Sequence, residues 1–497
     1  MSCGGKTRKF PTAALPAAQL RPGLRVSFGV ALLALVLLAG GCATHSHRVN
    51  TLNSAWESAD IDRAVRVTSG AAERSDGRRN AVLWHLELGA ALRTAGEYEE
   101  SNRAFDEADR RISEYEERAR VRVGVAAAAA MTNLNALPYE GYAYDKIMLH
   151  TYKALNYLAL GDLENARVEL NRSFQRQRDA VQENARRIEQ AREEAREEAS
   201  GEEASGNGLD VDRSIADERF RSQLDDTYAH LRALHAYADY VNPFAVYLEA
   251  LYFMGHPWSL TSDLERARVS LERVDGMILE NDYVQQDIAF INNLLMGRPT
   301  PPTTYVLFET GRGPVREEVR IDLALWGLSR DVPYVGAAFP DLRFRGRHDT
   351  PLTVLTSEGT QRSARLASMD SIVAQEFQNE MPVVIAKTLM STAAKATAQY
   401  AASEATRDAG ILGALVHLGG IVYQIAMNQA DTRMWQTLPK EFHVCRFPTP
   451  ADRRITLSTP YSSRNIEVEI EPGIVNVVYV KSISRGTPLV VNQFTLQ

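Results

Sequence analysis

A nine-residue segment that occurs twice constrains the fold of this chain more than any other feature. Asp162–Leu170 reads DLENARVEL and Asp263–Leu271 reads DLERARVSL, so seven of the nine positions are identical. Each copy follows an apolar segment rich in aromatic residues, Tyr152–Leu160 in one case and Tyr247–Met254 in the other. The apolar positions have helical spacing, which indicates a helix, a short turn and a second helix. Such units bury their apolar faces only by stacking, so the first half of the chain is predicted to be a helical repeat.

The clearest unit runs from Leu83 to Ala108. It combines small and aromatic residues at the spacing of a helical hairpin: Gly89, Gly96, Tyr98, Ser101, Phe105 and Ala108. This pattern resembles the tetratricopeptide repeat, in which small residues stand where the two helices cross. We expect Gly89 to allow a close helix approach, Gly96 to end the first helix in a left-handed turn, and Phe105 to fill the gap to the next unit.

Two further units and a half unit keep the same frame. The residues expected to pack the second and third units are Tyr157, Gly161, Ala166 and Leu170, and then Leu264, Ala267 and Leu271. Ala154 takes the position of Gly89 in the second unit, residues 256–262 form an insertion in the third, and a weaker half unit lies within residues 61–71. Such repeats form a superhelix whose concave side usually holds a peptide or protein, so the resemblance implies a binding scaffold. A plain helical bundle without a groove is the alternative.

A charged segment, residues 178–226, separates the second and third units. Glu and Arg recur at three- and four-residue spacing around Arg192–Glu198, which is typical of a solvated helix held by side-chain ion pairs. Gly and Ser cluster in Ser200–Gly208 and predict the tip of a long helical hairpin. A solvated face accounts for this charge run more simply than a dedicated docking arm does.

The composition changes at residues 299–302, and the chain beyond them is rich in β-branched and aromatic residues. Thr304–Phe308 and Val315–Leu325 are predicted strands, joined by a turn at Gly311–Pro314 that is too short for a nucleotide loop. The predicted regions are a leader at 1–41, a tether at 42–50, a helical repeat domain at 51–298 and a β-rich domain at 299–497.

The β-rich domain contains one clear hairpin pattern and one helical insert. The hairpin pairs Ile466–Glu471 with Ile474–Val480 across Pro472-Gly473. Residues 371–432 form an Ala/Gly-rich helical insert, in which Gly410–Met427 is almost wholly apolar. A helix that is buried, or packed on a partner or on the membrane surface, accounts for this stretch better than a transmembrane span does. The predicted fold class is α+β, with an N-terminal α-helical tetratricopeptide-like repeat superhelix followed by a β-rich, sandwich-like domain with the helical insert.

The first 41 residues predict a secretory leader. They carry Lys and Arg but no acidic residue, and the apolar run Ala31–Leu38 ends in small residues before Cys42. The motif LLAGGC resembles the lipobox of bacterial lipoproteins, which implies a lipidated Cys42; an ordinary signal peptide is the alternative. Because Ala43 follows the cysteine, the resemblance implies a lipid anchor in the outer membrane, on its periplasmic face. Beyond Cys42 only Cys445 remains, so the mature chain forms no internal disulfide.

The sequence lacks the motifs that carry catalysis or cofactor binding. It holds no G-x-S-x-G, H-E-x-x-H or phosphate-loop pattern, and the ten histidines are scattered. Glu317 and Glu318 are expected on opposite sides of a strand, and Cys445 is expected to be a buried strand residue. The net charge of −7 argues against a nucleic-acid partner. We therefore predict no enzyme, no cofactor and no metal; an envelope hydrolase would require a pocket of convergent polar groups in the second half.

Four segments together are similar to an uncharacterised family of bacterial tetratricopeptide-repeat-containing lipoproteins: the lipobox, Tyr144–Leu158, Asn242–Leu248 and Ala430–Pro439. The family has no established activity, but its members are often encoded near lipoproteins similar to activators of penicillin-binding proteins. The resemblance implies a non-enzymatic scaffold in cell-envelope assembly, with periplasmic or outer-membrane proteins as partners. The alternative is a self-assembling homo-oligomer in a secretion or surface-polymer export complex.

Overall fold

The computed structural model describes residues 46–121, 137–203, 210–235, 237–256, 259–299, 301–326, 334–405 and 429–497. The chain forms two compact units, Met1–Thr51 and Leu52–Gln497, and the second contains the helices and strands that carry the fold. The predicted leader, the predicted lipidation site Cys42 and the apolar stretch Gly410–Met427 lie outside the described residues.

The helical half of the second unit consists of α1 Ile61–Ser75, α2 Ala81–Ala95, α3 Tyr98–Val121, α4 Ala143–Ala159, α5 Leu163–Glu203, α6 Val211–Ala216, α7 Glu218–Thr227, a 3-10 helix Ala229–Ala233, α8 Pro243–Gly255, α9 Thr261–Asp275 and α10 Asp282–Leu295. α2 packs on α3, α4 on α5, and α8 on α9, at the places of the three predicted units. Side chains of Asp60, Asn242 and Asn281 accept the backbone N–H groups that begin α1, α8 and α10. Gly96 (φ 84°) and Gly161 (φ 74°) adopt the left-handed backbone that ends a helix.

The strand-rich half consists of β1 Thr303–Thr310, β2 Val315–Ala324, β3 Tyr334–Arg343, β4 Thr353–Thr356, β5 Gly359–Arg362, β6 Ala364–Ser368, helix α11 Met369–Ala405, β7 Glu441–Pro448, β8 Arg454–Ser458, β9 Ile466–Glu469, β10 Val475–Ser482 and β11 Val490–Thr495. Five strands form a sheet in the order β11-β10-β1-β7-β6, in which β1 and β10 are parallel and the other neighbours antiparallel. β2 and β3 form a two-stranded sheet, and β5-β4-β8-β9 form a four-stranded one. The mixed α+β fold class is confirmed.

The five-stranded sheet packs on both of its faces. On β1, Val306 belongs to an apolar cluster with Val354 and Leu457 of the four-stranded sheet. The next residue, Leu307, points to the opposite face and belongs to the cluster of the helical hairpins, as strand alternation requires. The sheet therefore lies between the helices and the second sheet, and the helical and strand-rich halves share one core within one compact unit.

The structure corrects the strand pairing predicted around Pro472-Gly473. The hairpin between Ile466–Glu471 and Ile474–Val480 is wrong, because β9 pairs with β8 whereas β10 lies between β1 and β11 in the other sheet. Pro472-Gly473 therefore connects two sheets instead of closing a hairpin. In the same way, Gly311–Pro314 leads from β1 to a strand of a different sheet, because β2 pairs with β3.

The charged segment 178–226 is packed more closely than a solvated hairpin would be. α5 is continuous to Glu203, but the return arm is broken into α6 and α7, and residues 204–209 of the predicted tip lie outside the described part of the chain. Ala191 of α5 packs against Val383 of α11. Phe220 of α7 is fully buried, with its ring centroid 6.0 Å from that of Phe339 on β3.

The helical insert predicted at 371–432 begins close to its predicted position. α11 starts at Met369 and is described as far as Ala405. Residues 429–432 are not helical, so the predicted end of the insert is wrong. Among the described helices, none is long and apolar enough to cross a bilayer.

Candidate functional site

Gly89 and Phe105 form the contact that holds the first helical hairpin together. A Cβ atom on Gly89 would lie 2.5 Å from Cε1 of Phe105, so only glycine leaves room for the ring. The hydroxyl of Ser101 also donates to the Gly89 carbonyl at 2.7 Å. The fully buried Phe105 ring has its centroid 6.3 Å from that of Tyr152 and 5.8 Å from that of Trp435. Phe105 therefore contacts both the next hairpin and the strand-rich half.

The other predicted packing residues lie in the turns and interfaces of the hairpins. Gly96 and Gly161 form the left-handed turns after α2 and α4. Tyr157 and Leu264 are half-buried and pack against the main apolar cluster. The remaining predicted residues are buried: Tyr98, Ala108, Ala166, Leu170, Ala267 and Leu271. These positions serve helix packing and leave little surface for a ligand.

The first helices of the three hairpins, α2, α4 and α8, are covered by the strand-rich half. In α2, the buried carboxylate of Glu87 accepts hydrogen bonds from the backbone N–H groups of Gln436 at 2.5 Å and Thr437 at 3.2 Å. Burial raises the pKa of Glu87 to about 7. In α4, the hydroxyl of Tyr152 donates to the carboxylate of Glu309 on β1 at 3.1 Å.

α8 is covered along its whole length. Every residue of Pro243–Gly255 is buried, and Phe244 stacks on Phe442 of β7 with ring centroids 3.9 Å apart. A Cβ atom on Gly255 would lie 2.8 Å from Cβ of Leu496. The expected groove is therefore not open along the first helices, because the strand-rich half of the chain covers them.

A polar cavity of about 410 Å³ lies between the helical and the strand-rich half. The loops after the 3-10 helix and after α9 line one side of it, and the loop before β4 together with β6 and β7 lines the other. Its charged and titratable groups are His235, His348 and His443, with Arg365, Glu280 and Glu441. It is thus a set of convergent polar groups, partly from the second half, of the kind that the hydrolase hypothesis requires.

Glu441 is the centre of the hydrogen-bond network in this cavity. Its Oε2 accepts from Nε2 of His348 at 3.2 Å and from Nε2 of His443 at 3.0 Å, and its Oε1 accepts from Nη1 of Arg365 at 3.3 Å. Burial acts to raise the pKa of Glu441, but the hydrogen bonds from His348 and His443 outweigh it and hold the pKa below its ordinary value. The carboxylate therefore stays ionised at neutral pH, with three protein donors around it.

Two features of the backbone bring the polar groups of the cavity together: the alternation of side chains along β7, and the close approach of the Gly311 turn to the loop that carries His348. Glu441 and His443 are two residues apart on β7 and so share a face, and Arg365 of β6 is directly opposite His443. Gly311 has φ 74°, and a Cβ atom on it would lie 2.8 Å from Cβ of His348. The glycine turn after β1 therefore lets the His348 loop approach β7.

Metal binding and nucleophilic chemistry find little support around the cavity. In the described ranges, no group of His, Cys, Asp or Glu side chains is arranged to hold a metal ion. Ser363 Oγ lies 3.5 Å from Nδ1 of His443, but this serine is buried and accepts the backbone N–H of Leu352 at 3.0 Å. Cys445 is fully buried on β7, and burial raises the pKa of its thiol to about 11, which keeps it protonated at neutral pH.

Little in the amino-acid sequence predicts this cavity. Its polar residues are spread between His235 and His443, and three of the histidines that look scattered along the chain meet in it. One local signal does exist. The alternation Glu441-Phe442-His443 at the start of a strand places two polar side chains on one face.

Comparison with known proteins adds one distant likeness. Among solved structures, the chain is similar to a tetratricopeptide repeat protein from Parabacteroides merdae ATCC 43184, with 11% sequence identity and a TM-score of 0.14. The match covers 50% of this chain and 100% of that one. No protein-family model and no curated protein matches the sequence. At that TM-score the likeness carries no argument, so function has to be inferred from the residues themselves.

Proposed function

We propose that this chain is an outer-membrane-anchored periplasmic lipoprotein that acts as a non-enzymatic, protein-binding scaffold in cell-envelope assembly. The observation that carries this proposal is the motif LLAGGC, which ends at Cys42 after a basic leader and an apolar run. Two or three acyl chains on such a cysteine would anchor the protein stably, because each buried methylene contributes about 0.8 kcal/mol.

The outer helices of the second and third hairpins supply the surface where we place the partner. Val168 of α5 and Val269 of α9 occupy equivalent positions in the two copies of the repeated segment, and they are 45% and 55% exposed. Arg167 pairs with Asp263 at 3.0 Å, which joins the two helices at this surface. Apolar side chains that recur on neighbouring repeats and remain exposed favour a contact surface. The β-rich half, which we describe as sandwich-like, covers the first helices and leaves this outer surface free.

Photocrosslinking in intact cells tests the scaffold. A photoreactive amino acid replaces Val168 or Val269 in the lipidated protein, and the same replacement of Leu355 on β4, which is 51% exposed, is the control. We expect crosslinks from both valine positions to another envelope protein, and few from Leu355. A Cys42→Ala variant, which cannot be anchored, should lose these crosslinks and leave the outer-membrane fraction. Equal crosslinking from Leu355, or crosslinks that persist without the anchor, would contradict the proposal.

The alternative function is a self-assembling component of a secretion or surface-polymer export complex, with the Ala/Gly-rich insert as its oligomerising element. The same experiment separates the two functions, because self-assembly predicts ladders of crosslinked copies of this chain. Size determination at high protein concentration gives a second test. A monomer under those conditions would exclude the self-assembling component.

A further inference from the structure

The cavity around Glu441 presents hydrogen-bond donors that the protein itself leaves available. Arg365 is exposed, and in the described part of the chain its guanidinium has one hydrogen bond, from Nη1 to Glu441, out of five N–H groups. The Tyr237 hydroxyl accepts the backbone N–H of Ser368 at 3.1 Å, so its own proton remains to be donated. Thr350 also lines the cavity, and its hydroxyl lies 3.4 Å from Nε2 of His443; because that nitrogen donates to Glu441, the hydroxyl keeps its own proton.

The acceptors and bases of Glu441, His443 and His348 are already engaged or inaccessible. Both carboxylate oxygens of Glu441 accept hydrogen bonds from protein groups. Nδ1 of His443 faces Ser363, and Nδ1 of His348 is buried away from solvent. A base of the kind that hydrolysis needs is therefore not offered to a ligand by these two imidazoles. The exposed Glu280, which also lines the cavity, disfavours ligands with more than one negative charge.

Apolar side chains cover the rest of the lining. Ile278 and Leu279 come from the loop after α9. Ile278 is half-buried and Leu279 is 59% exposed, whereas Leu366 of β6, which also borders the cavity, is fully buried in the main apolar cluster. A volume of about 410 Å³ is the size of a small-molecule site.

We propose that this cavity binds a small organic ligand that carries one singly charged oxyanion group, a carboxylate or a phosphate diester. The oxyanion pairs with the guanidinium of Arg365, and the apolar body of the ligand lies on Ile278 and Leu279. A guanidinium presents its N–H groups in a planar fork that matches both oxyanions, and the hydroxyls of the lining add donors to the same acceptor-rich group. The inference is independent of the lipid anchor and of the scaffold function.

Calorimetric titration of the full chain in detergent tests the site with three probes. Benzoate and methyl phenyl phosphate, a phosphate diester, each carry one negative charge beside the same ring, and benzyl alcohol is the neutral control. We expect binding of at least one anion and weaker binding of the alcohol, and the preferred anion identifies the oxyanion. Arg365→Ala should weaken anion binding about tenfold or more, and Arg365→Lys should weaken it less. Arg362→Ala, which removes an exposed arginine of the neighbouring strand outside the lining, should leave binding unchanged.

A second variant guards against loss of folding in the arginine variants. Leu279→Glu adds a negative charge at an exposed position of the lining and should also weaken anion binding without changing thermal unfolding. Equal binding of benzyl alcohol and the anions, an unchanged affinity in Arg365→Ala, or no heat from any probe at millimolar concentration would each overturn the proposal.

Discussion

Substitution of Gly89 by alanine is the sharpest test of the packing in the helical half. The new Cβ would lie 2.5 to 2.7 Å from three atoms of the Phe105 ring, about 1 Å short of normal contact. The ring is fully buried beside Tyr152 and Trp435 and has no space to move. Overpacking of this kind costs up to about 3 kcal/mol, and the better helix propensity of alanine returns about 1 kcal/mol. We therefore expect a net loss of about 2 kcal/mol in the free energy of unfolding.

Gly70 in α1 provides a matched control for this substitution. A Cβ on Gly70 would meet only the flexible end of Arg74, with Nη2 2.9 Å away, so Gly70→Ala should stabilise the protein by up to about 1 kcal/mol. Urea unfolding, followed by circular dichroism and tryptophan fluorescence, measures both variants. Adding Phe105→Leu to Gly89→Ala should recover about 1 to 2 kcal/mol relative to additivity. A Gly89→Ala protein as stable as the Gly70→Ala protein would refute the reasoning.

Three further single substitutions test buried contacts, two of them between the halves and one within the central sheet. Gly255→Ala should cost about 1 to 3 kcal/mol because its Cβ would lie 2.8 Å from Leu496, and an unchanged urea midpoint would contradict that contact. Burial raises the pKa of Glu87 from 4.5 to about 7, so the wild-type protein loses stability as the pH rises from 4.5 to about 7. Over this pH range the free energy of unfolding of Glu87→Gln should rise by up to about 3 kcal/mol relative to that of the wild type. Parallel pH profiles of unfolding for the two proteins would count against this. Lys481→Met removes the 2.7 Å ion pair of buried Glu309 and should lower the free energy of unfolding by about 3 to 5 kcal/mol. Adding Glu309→Gln to the same chain should restore most of this loss. A Lys481→Met protein that unfolds like the wild type would disprove the prediction.

The helical half could be predicted because its signals are local. The repeated nine-residue segment places the turn and the second helix of two units, and Gly96 marks the end of α2 in the sequence itself. The strand order could not be predicted in the same way. β10 pairs with β1 in parallel, and a parallel pair has no tight turn between its strands that would announce it. The residues around Pro472-Gly473 have the local pattern of a hairpin turn, but they connect strands of two different sheets.

Neither the covering of the repeat helices nor the cavity could be predicted, because both depend on contacts between residues far apart in the sequence. Glu87 looks like an ordinary helix residue, and only the fold shows that it accepts the backbone N–H groups of Gln436 and Thr437. The cavity likewise needs His348 and Glu441, which come from separate segments. Periodicity identifies which helices stack, but the surface that covers them is set by residues far along the chain.

The parallel pairing of β1 with β10 also determines at what point during synthesis the central sheet can form. Thr303 of β1 pairs with Val475 of β10, so the central sheet closes only after most of the chain has been synthesised. Until then, the apolar faces of α2, α4 and α8 have no cover, and such surfaces aggregate or bind chaperones. Long-range pairing also slows folding. The native state therefore forms only after the residues of β10 have joined β1, near the end of synthesis.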